Sequence, residues 1–371
     1  MTKDHPPVFA VILAGGSGTR FWPRSRKLLP KQLCKISHPD KSMLELTLER
    51  LDGFIPSDHR LIVTHALQKQ KTSAIVGKKC LSILGEPLAR NTAAALALAA
   101  LEIKLLHPEE KEAVMISLHA DHVIRDKLAF VETLKRAIVV AQKNYLALLG
   151  VIPTSPETGY GYIQKGGSLN IPQVANCFSV LSFKEKPGRT LAEQYLAERA
   201  FYWNSGLFVW KVDKILQEFE KFLPVLLNPL MTYADKLKSE GRTFSQLTDA
   251  EFLPLYENLP EIAIDHAILE KSKDIAVVEC GFDWQDIGAW TALPLVIPED
   301  AQGNVVQGDN VLLDTKNSII CSDSYLVASI GIEDLIVVVD KGCVLVCKKE
   351  RAQDVKQIVS ELKKRGLDKL V

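Results

Sequence analysis

The run Val8-Phe9-Ala10-Val11-Ile12-Leu13-Ala14 breaks off at Gly15-Gly16-Ser17-Gly18-Thr19-Arg20, and this junction decides the fold. Seven consecutive apolar residues are too continuous for a half-exposed strand; they read as a strand covered on both faces, as in a parallel sheet flanked by helices. The run is also too short for a signal-peptide core and passes straight into glycines. Those glycines carry no Cβ, so their N–H groups can turn toward a bound anion. A buried strand that ends in an anion cradle is the expectation.

Similar apolar runs recur at Leu61–Thr64, Val114–Leu118 and Tyr145–Gly150, with helical patterns at Ser42–Leu51, Thr92–Leu105 and Ala129–Asn144 between them. This alternation predicts an α/β fold with a mostly parallel, mixed sheet. In such sheets ligands collect at the carboxyl ends of the strands. From Ala301 the texture changes to short β-rich pieces spaced by Gly, Asp and Asn, and residues 351–365 read as one amphipathic helix. A domain division near residue 300 is expected, giving segments 1–300 and 301–371.

Composition narrows the function classes. The 371 residues carry 45 basic and 45 acidic side chains, so no global field favours nucleic acid or an anionic membrane surface. The stretch Thr92–Leu106 is interrupted by Glu102 and Lys104 and is too short to span a bilayer. Seven cysteines without a CxxC pair suggest neither a disulfide framework nor a zinc ribbon, and reduced thiols suit a cytoplasmic protein.

The glycine segment fails two familiar tests. A P-loop needs Lys-Ser/Thr after its last glycine, and the dinucleotide fingerprint needs glycine where Phe21 stands. Instead Phe21-Trp22-Pro23-Arg24-Ser25-Arg26-Lys27-Leu28-Leu29-Pro30-Lys31-Gln32 follows, so Arg20 and Lys31 bring a guanidinium and an ammonium beside the cradle. The stretch from Gly15 to Leu33 resembles the signature of the sugar-nucleotide pyrophosphorylases, in the form seen in mannose-1-phosphate guanylyltransferases. The likeness extends over residues 8 to 371. It implies a Rossmann-like nucleotidyltransferase domain followed by a short left-handed β-helix with a C-terminal helix.

The resemblance also implies site residues. Leu13, Ala14, Gly15, Gly16, Ser17, Gly18 and Thr19 would contact the nucleotide, with Arg20 and Lys31 catalytic. The segment Glu86-Pro87-Leu88-Ala89-Arg90-Asn91-Thr92 is similar to the family's nucleotide loop and would place Glu86, Arg90, Asn91 and Thr92 at the base and ribose, where polar edges must discriminate one base from another. Asn91 or Thr92 would also cap the helix that follows. Phosphoryl transfer needs charge neutralisation, normally by Mg²⁺ on one or two carboxylates, and Asp121 and Asp286 resemble the family's metal-binding aspartates.

For the sugar, three segments match, around Gly161, Glu185-Lys186 and Asn204, and a fourth contains Asp265. Carboxylates and amides bind vicinal hydroxyls, glycine permits close approach, and lysine meets a phosphate. Gly161, Glu185, Asn204 and Asp265 are thus expected at the hexose and Lys186 at its phosphate. The implied reaction joins GTP and mannose 1-phosphate into GDP-mannose and pyrophosphate, needing no general base because the attacking phosphate is already anionic. Two other readings remain open: another hexose 1-phosphate and nucleotide, or a catalytically silent sugar-nucleotide-binding regulator. A homodimer formed through the β-rich tail is a further expectation.

Overall fold

The computed structural model describes residues 6–16 and 18–371. Two compact units form: one from the N-terminal residues through Gly15 with Leu51–His119 and Ile124–Trp284, the other from Gly16–Arg50, Ala120–Val123 and Gln285–Val371. These compact units interleave along the chain, and the run of short strands begins at Val305, close to the change of texture near residue 300. Phe21, Trp22, Ile36 and Met43 share one buried core with Trp290, Ile319 and Ile336, and this ties the segment after Gly15 to the C-terminal strands.

In chain order the first strands are β1 (Val8–Ala14), β2 (Arg60–His65), β3 (Ser82–Glu86), β4 (Val114–His119), β5 (His122–Val123) and β6 (Leu146–Val151). Then come β7 (Tyr162–Ser168), β8 (Cys177–Lys184), β9 (Phe201–Lys211), β10 (Ile275–Glu279) and β11 (Gln285–Asp286). The first unit is built on one sheet in the order β3-β2-β1-β4-β9-β6-β10-β8-β7. Its ladders set β1, β2, β3, β4, β6, β7 and β10 in one direction, with β8 and β9 against them. The sheet is thus mixed and mostly parallel, as expected.

The parallel strands are joined through helices Ala66–Val76, Asn91–Leu106 and Lys127–Gln142. In Asn91–Leu106 every residue from Ala93 to Ile103 is buried, because the alanines allow close packing on the sheet and on helices Val212–Phe222 and Pro224–Glu240. Its one buried acid, Glu102, accepts from Ser82 Oγ at 3.0 Å and from the Phe244 N–H at 2.8 Å, so its burial is compensated.

The second unit carries β12 (Val305–Gln307), β13 (Asn310–Leu313), β14 (Ile319–Ser322), β15 (Val327–Ile330), β16 (Leu335–Asp340) and β17 (Cys343–Lys348). Strands β12, β14 and β16 stack in parallel on one face and β13 and β15 on another, the arrangement of a β-helix, and β17 closes it antiparallel to β16. All six lie in the β-rich stretch that begins at Ala301. The closing helix is shorter than expected: residues 349–354 form a 3₁₀ turn and Val355–Lys364 the α-helix. All seven cysteines are free thiols. Among the described residues, no helix is long and apolar enough to cross a membrane.

Candidate active site

In the first unit the carboxyl ends of the strands gather polar groups. The register Ala14↔Thr64 and His65↔Glu86 brings the ends of β1, β2 and β3 level, and Gly15 and Gly16 emerge exposed after the buried Leu13 and Ala14. The Glu86 carboxylate lies near the turn: a Cβ on Gly15 would sit 3.9 Å from Glu86 Oε2. Burial pushes the Glu86 pKa up to about 8, partly offset by a hydrogen bond from the Tyr256 hydroxyl at 3.2 Å.

The rest of this loop is tied down by the chain itself. Arg90 donates from Nε to the Tyr256 carbonyl at 2.9 Å and from its terminal nitrogen to the Glu257 carbonyl. Thr92 Oγ1 accepts from the Ile264 N–H at 2.9 Å. Asn91 adopts φ 63° and its Oδ1 accepts from the Thr92 N–H, so neither side chain caps the helix, whose N-cap is Arg90. Tyr256, absent from the sequence reading, proves to be the partner that fixes Glu86. Its signal is 170 residues away in the chain and has no local motif.

A second cluster in the same unit brings together every residue expected at the hexose. Strand β9 runs antiparallel, and its register Gly150↔Asn204 delivers Asn204 to the carboxyl end of β6. The Asn204 backbone N–H donates to the Gly161 carbonyl at 2.7 Å, and Nδ2 donates to Asp265 Oδ1 at 2.7 Å. Gly161 is packed so closely that a Cβ would meet Glu185 Oε2 at 2.6 Å and Asn204 Cβ at 3.4 Å. Burial raises the Asp265 pKa, countered by the Asn204 hydrogen bond. Asp265 opens a single π-turn, Asp265–Leu269, a rare geometry that recurs at functional sites. Lys186, at φ 42°, is exposed and ion-paired with Glu185. Tyr160 adds an aromatic edge, 5.3 Å from Trp203 and 5.0 Å from Trp284.

The second unit holds the cation and carboxylates. Lys31 is only 5% exposed, and its Nζ lies 3.0 Å from Asp121 Oδ2 and 3.6 Å from Asp286 Oδ1. The aspartates, 90 and 255 residues from Lys31, meet because β5 pairs antiparallel with β11, setting Asp286 opposite His122. Helix Met43–Leu51 holds the Asp121 turn, with Arg50 donating to the His122 carbonyl at 3.1 Å. Both aspartates are about a third exposed, 34% and 37%. Carboxylate oxygens are the ligand type that a hard divalent cation takes, and here the Lys31 ammonium lies against both of them. Gly18, at φ 59°, is fixed by Lys31, since a Cβ there would run into the Lys31 Cβ. Arg20 is exposed on the turn Thr19–Phe21, whose Phe21 ring lies 5.6 Å below Lys31 Nζ. Ser17, expected at the nucleotide, lies outside the described residues.

The nucleotidyl transferase family model matches residues 9–303, and the MannoseP isomerase/GMP-like beta-helix domain matches residues 308–362. A mannose-1-phosphate guanylyltransferase of Escherichia coli is 38% identical over 368 residues, covering 97% of this chain and 76% of its own. One from Klebsiella pneumoniae is 39% identical over 361 residues, covering 95% and 73%. Among solved structures, that of a mannose-1-phosphate geranyltransferase from Thermus thermophilus superposes with a TM-score of 0.83 at 31% identity, over 96% of this chain and 99% of that one. With this identity along nearly its whole length, the chain belongs to the nucleotidyl transferase family, in the group of mannose-1-phosphate guanylyltransferases that carry the β-helix domain.

Proposed function

We propose that the protein transfers GMP from GTP to α-D-mannose 1-phosphate, giving GDP-mannose and pyrophosphate. The observation that carries this reading is the meeting of Asp121 and Asp286 at Lys31 Nζ, three charged groups from distant parts of the chain. A phosphate oxygen of the sugar phosphate attacks the α-phosphorus of GTP, and the bond from that phosphorus to the oxygen bridging to the β-phosphate breaks. Pyrophosphate takes the electron pair, and no proton need move. The barrier is mainly one of assembling anions in line, so positioning and fixed charge supply the catalysis.

The amides of Gly15, Gly16 and Gly18, with Ser17, Thr19, Arg20 and Lys31, hold the leaving pyrophosphate, and Leu13 and Ala14 lie against the nucleotide. Glu86, Arg90, Asn91 and Thr92 serve the base and ribose, Glu86 through its carboxyl and Arg90 by holding the loop in shape. Gly161, Glu185, Asn204 and Asp265 bind the hexose hydroxyls, and Lys186 orients the attacking phosphate. Mg²⁺, held by Asp121 and Asp286, would neutralise charge on the reacting phosphates. Pyrophosphate release measured across four nucleoside triphosphates and several hexose 1-phosphates tests the reading. The highest kcat/KM is expected for GTP with mannose 1-phosphate, and a better pair, or no turnover, would refute it.

The seven free thiols fit a cytoplasmic enzyme. A second copy of the chain is proposed as a partner. Val311, Leu313 and Ile330 point outward on the paired strands β13 and β15, leaving an apolar patch on the β-helix. Light scattering should show a dimer that Ile330→Asp converts to monomer, and an unchanged mass for the variant would discard this interface.

A further inference from the structure

Lys31 lies on a segment that is anchored at both ends. Residues 24–36 make a short excursion: Arg26 and Leu29 exchange backbone hydrogen bonds at 2.9 Å, and Leu33 and Cys34 close turns on Pro30 and Lys31. Nothing in those local bonds ties the excursion to the rest of its unit. One face of it borders a cavity of about 850 Å³, lined among others by Arg24, Leu29, Leu33, Gln307 and Asp340.

Arg26 holds one end, its Nη2 donating to the Lys341 carbonyl at 3.0 Å, and Arg24 supplies the anchor that reaches both ends. Its guanidinium is buried and lies 5.5 Å from the Trp290 ring. Nη1 donates to the Lys35 carbonyl at 3.2 Å and to Gln307 Oε1 at 2.7 Å, and Nε donates to Asp340 Oδ2 at 3.3 Å. The Lys35 bond joins the two ends of the excursion to each other, and the other two join it to the β-helix. Gln307 ends β12 and Asp340 ends β16, so the planar fork reaches across β14, which lies between them. The contact is doubled: Gln307 Nε2 donates to the Ile36 carbonyl at 3.0 Å, and Lys341 Nζ donates to the Arg24 carbonyl at 2.9 Å while lying 3.1 Å from Asp340 Oδ1. Arg24 stood in the sequence as one more cation after the glycines, yet its Nε and Nη1 both donate to protein oxygens.

We propose that Arg24, acting through Gln307 and Asp340, is a positioning residue for Lys31, so that the first and third coils of the β-helix are working parts of the transfer site. The inference rests on the function proposed above. Its physical basis is that a planar, multiply donating guanidinium can hold three acceptors at fixed angles, which a single ammonium cannot. A misplacement of about 1 Å in a charged group can cost about 100-fold in rate.

The test uses the full chain with Arg24→Lys and Gln307→Ala. The first keeps the charge facing the buried Asp340 and removes the fork; the second leaves the Arg24–Asp340 pair in place. For each, the melting temperature, the affinity for GTP by calorimetry, and kcat and KM for both substrates are measured well below the melting point. Both variants should bind GTP at least fivefold more weakly and lose tenfold or more in kcat, with the KM for mannose 1-phosphate within twofold of the parent. A merely structural role lowers the melting temperature and leaves GTP affinity and kcat untouched, and that result overturns the proposal. A parent protein that binds GTP yet transfers nothing to mannose 1-phosphate refutes the proposed substrate, while GTP affinity of the variants still decides the positioning role. A parent that binds no GTP overturns both.

Discussion

Replacing Gly161 by alanine separates recognition of the sugar from stability of the fold. The new methyl carbon would start 2.6 Å from Glu185 Oε2, and ordinary contact begins near 3.4 Å, so the carboxylate must retreat by about 0.8 Å. That retreat is easy for folding, because the group that moves is the far end of a side chain 37% exposed to solvent. Melting should change little, within the ±0.5 kcal/mol or so of ordinary surface substitutions. The carboxylate, however, is the proposed ligand of a sugar hydroxyl. Since about 1 Å of misplacement can cost about 100-fold, kcat/KM for mannose 1-phosphate should fall some tens of fold, about 2 kcal/mol of transition-state stabilisation. The KM for GTP should stay within about twofold, since Gly161 and Glu185 are not assigned to the nucleotide. Initial rates of pyrophosphate release at saturating GTP and varied mannose 1-phosphate give the answer. An unchanged kcat/KM in a folded variant would remove Glu185 from the sugar site.

Lys31→Met removes the ammonium from between two carboxylates, and kcat should fall by about 10²- to 10³-fold, the usual cost of losing one preorganised charge; a loss below threefold in single-turnover rates would contradict the assignment. Lys186→Ala should raise the KM for mannose 1-phosphate more than that for GTP, and equal effects on both would place Lys186 elsewhere. Glu86 has a pKa raised from 4.5 to about 8, so between those values the folded protein holds a proton that the unfolded chain releases. Its contribution to stability is complete below pH 4.5 and is lost as the pH rises through 8, with a slope of up to about 1.4 kcal/mol per pH unit. Denaturant titrations from pH 5 to 9 should show that decline in the parent and a flatter profile in Glu86→Gln; parallel profiles would mean Glu86 is already ionised at neutral pH.

The parallel half of the sheet was legible because burial on both faces writes itself as uninterrupted apolar runs, as in Val8–Ala14 and Val114–His119. Strand β9 was not, although Tyr202-Trp203-Asn204-Ser205-Gly206 was recognised as a motif. Asn204 and Gly206 interrupt its apolar pattern, next to a register shift in its pairing with β6. The division at residue 300 followed a real change in texture. Compactness follows side-chain burial instead, and Phe21 and Trp22 bury themselves among residues that lie some 270 positions later.

The site was legible wherever a motif and its target are neighbours, and illegible wherever the partner is remote. From the sequence Arg20 and Lys186 are expected at phosphates and Arg90 at the base and ribose, while Arg24 is one more basic residue after the glycines. Distant chain decides between them. Arg90 spends its donors on carbonyls at 256 and 257, and Arg24 spends its own on Lys35, Gln307 and Asp340. Arg20 and Lys186 stay exposed. A guanidinium whose donors are spent on protein oxygens shapes a loop, and one that reaches solvent can meet a phosphate. Local spacing carries no information about which will happen, because the deciding acceptors are 166 and 316 residues away.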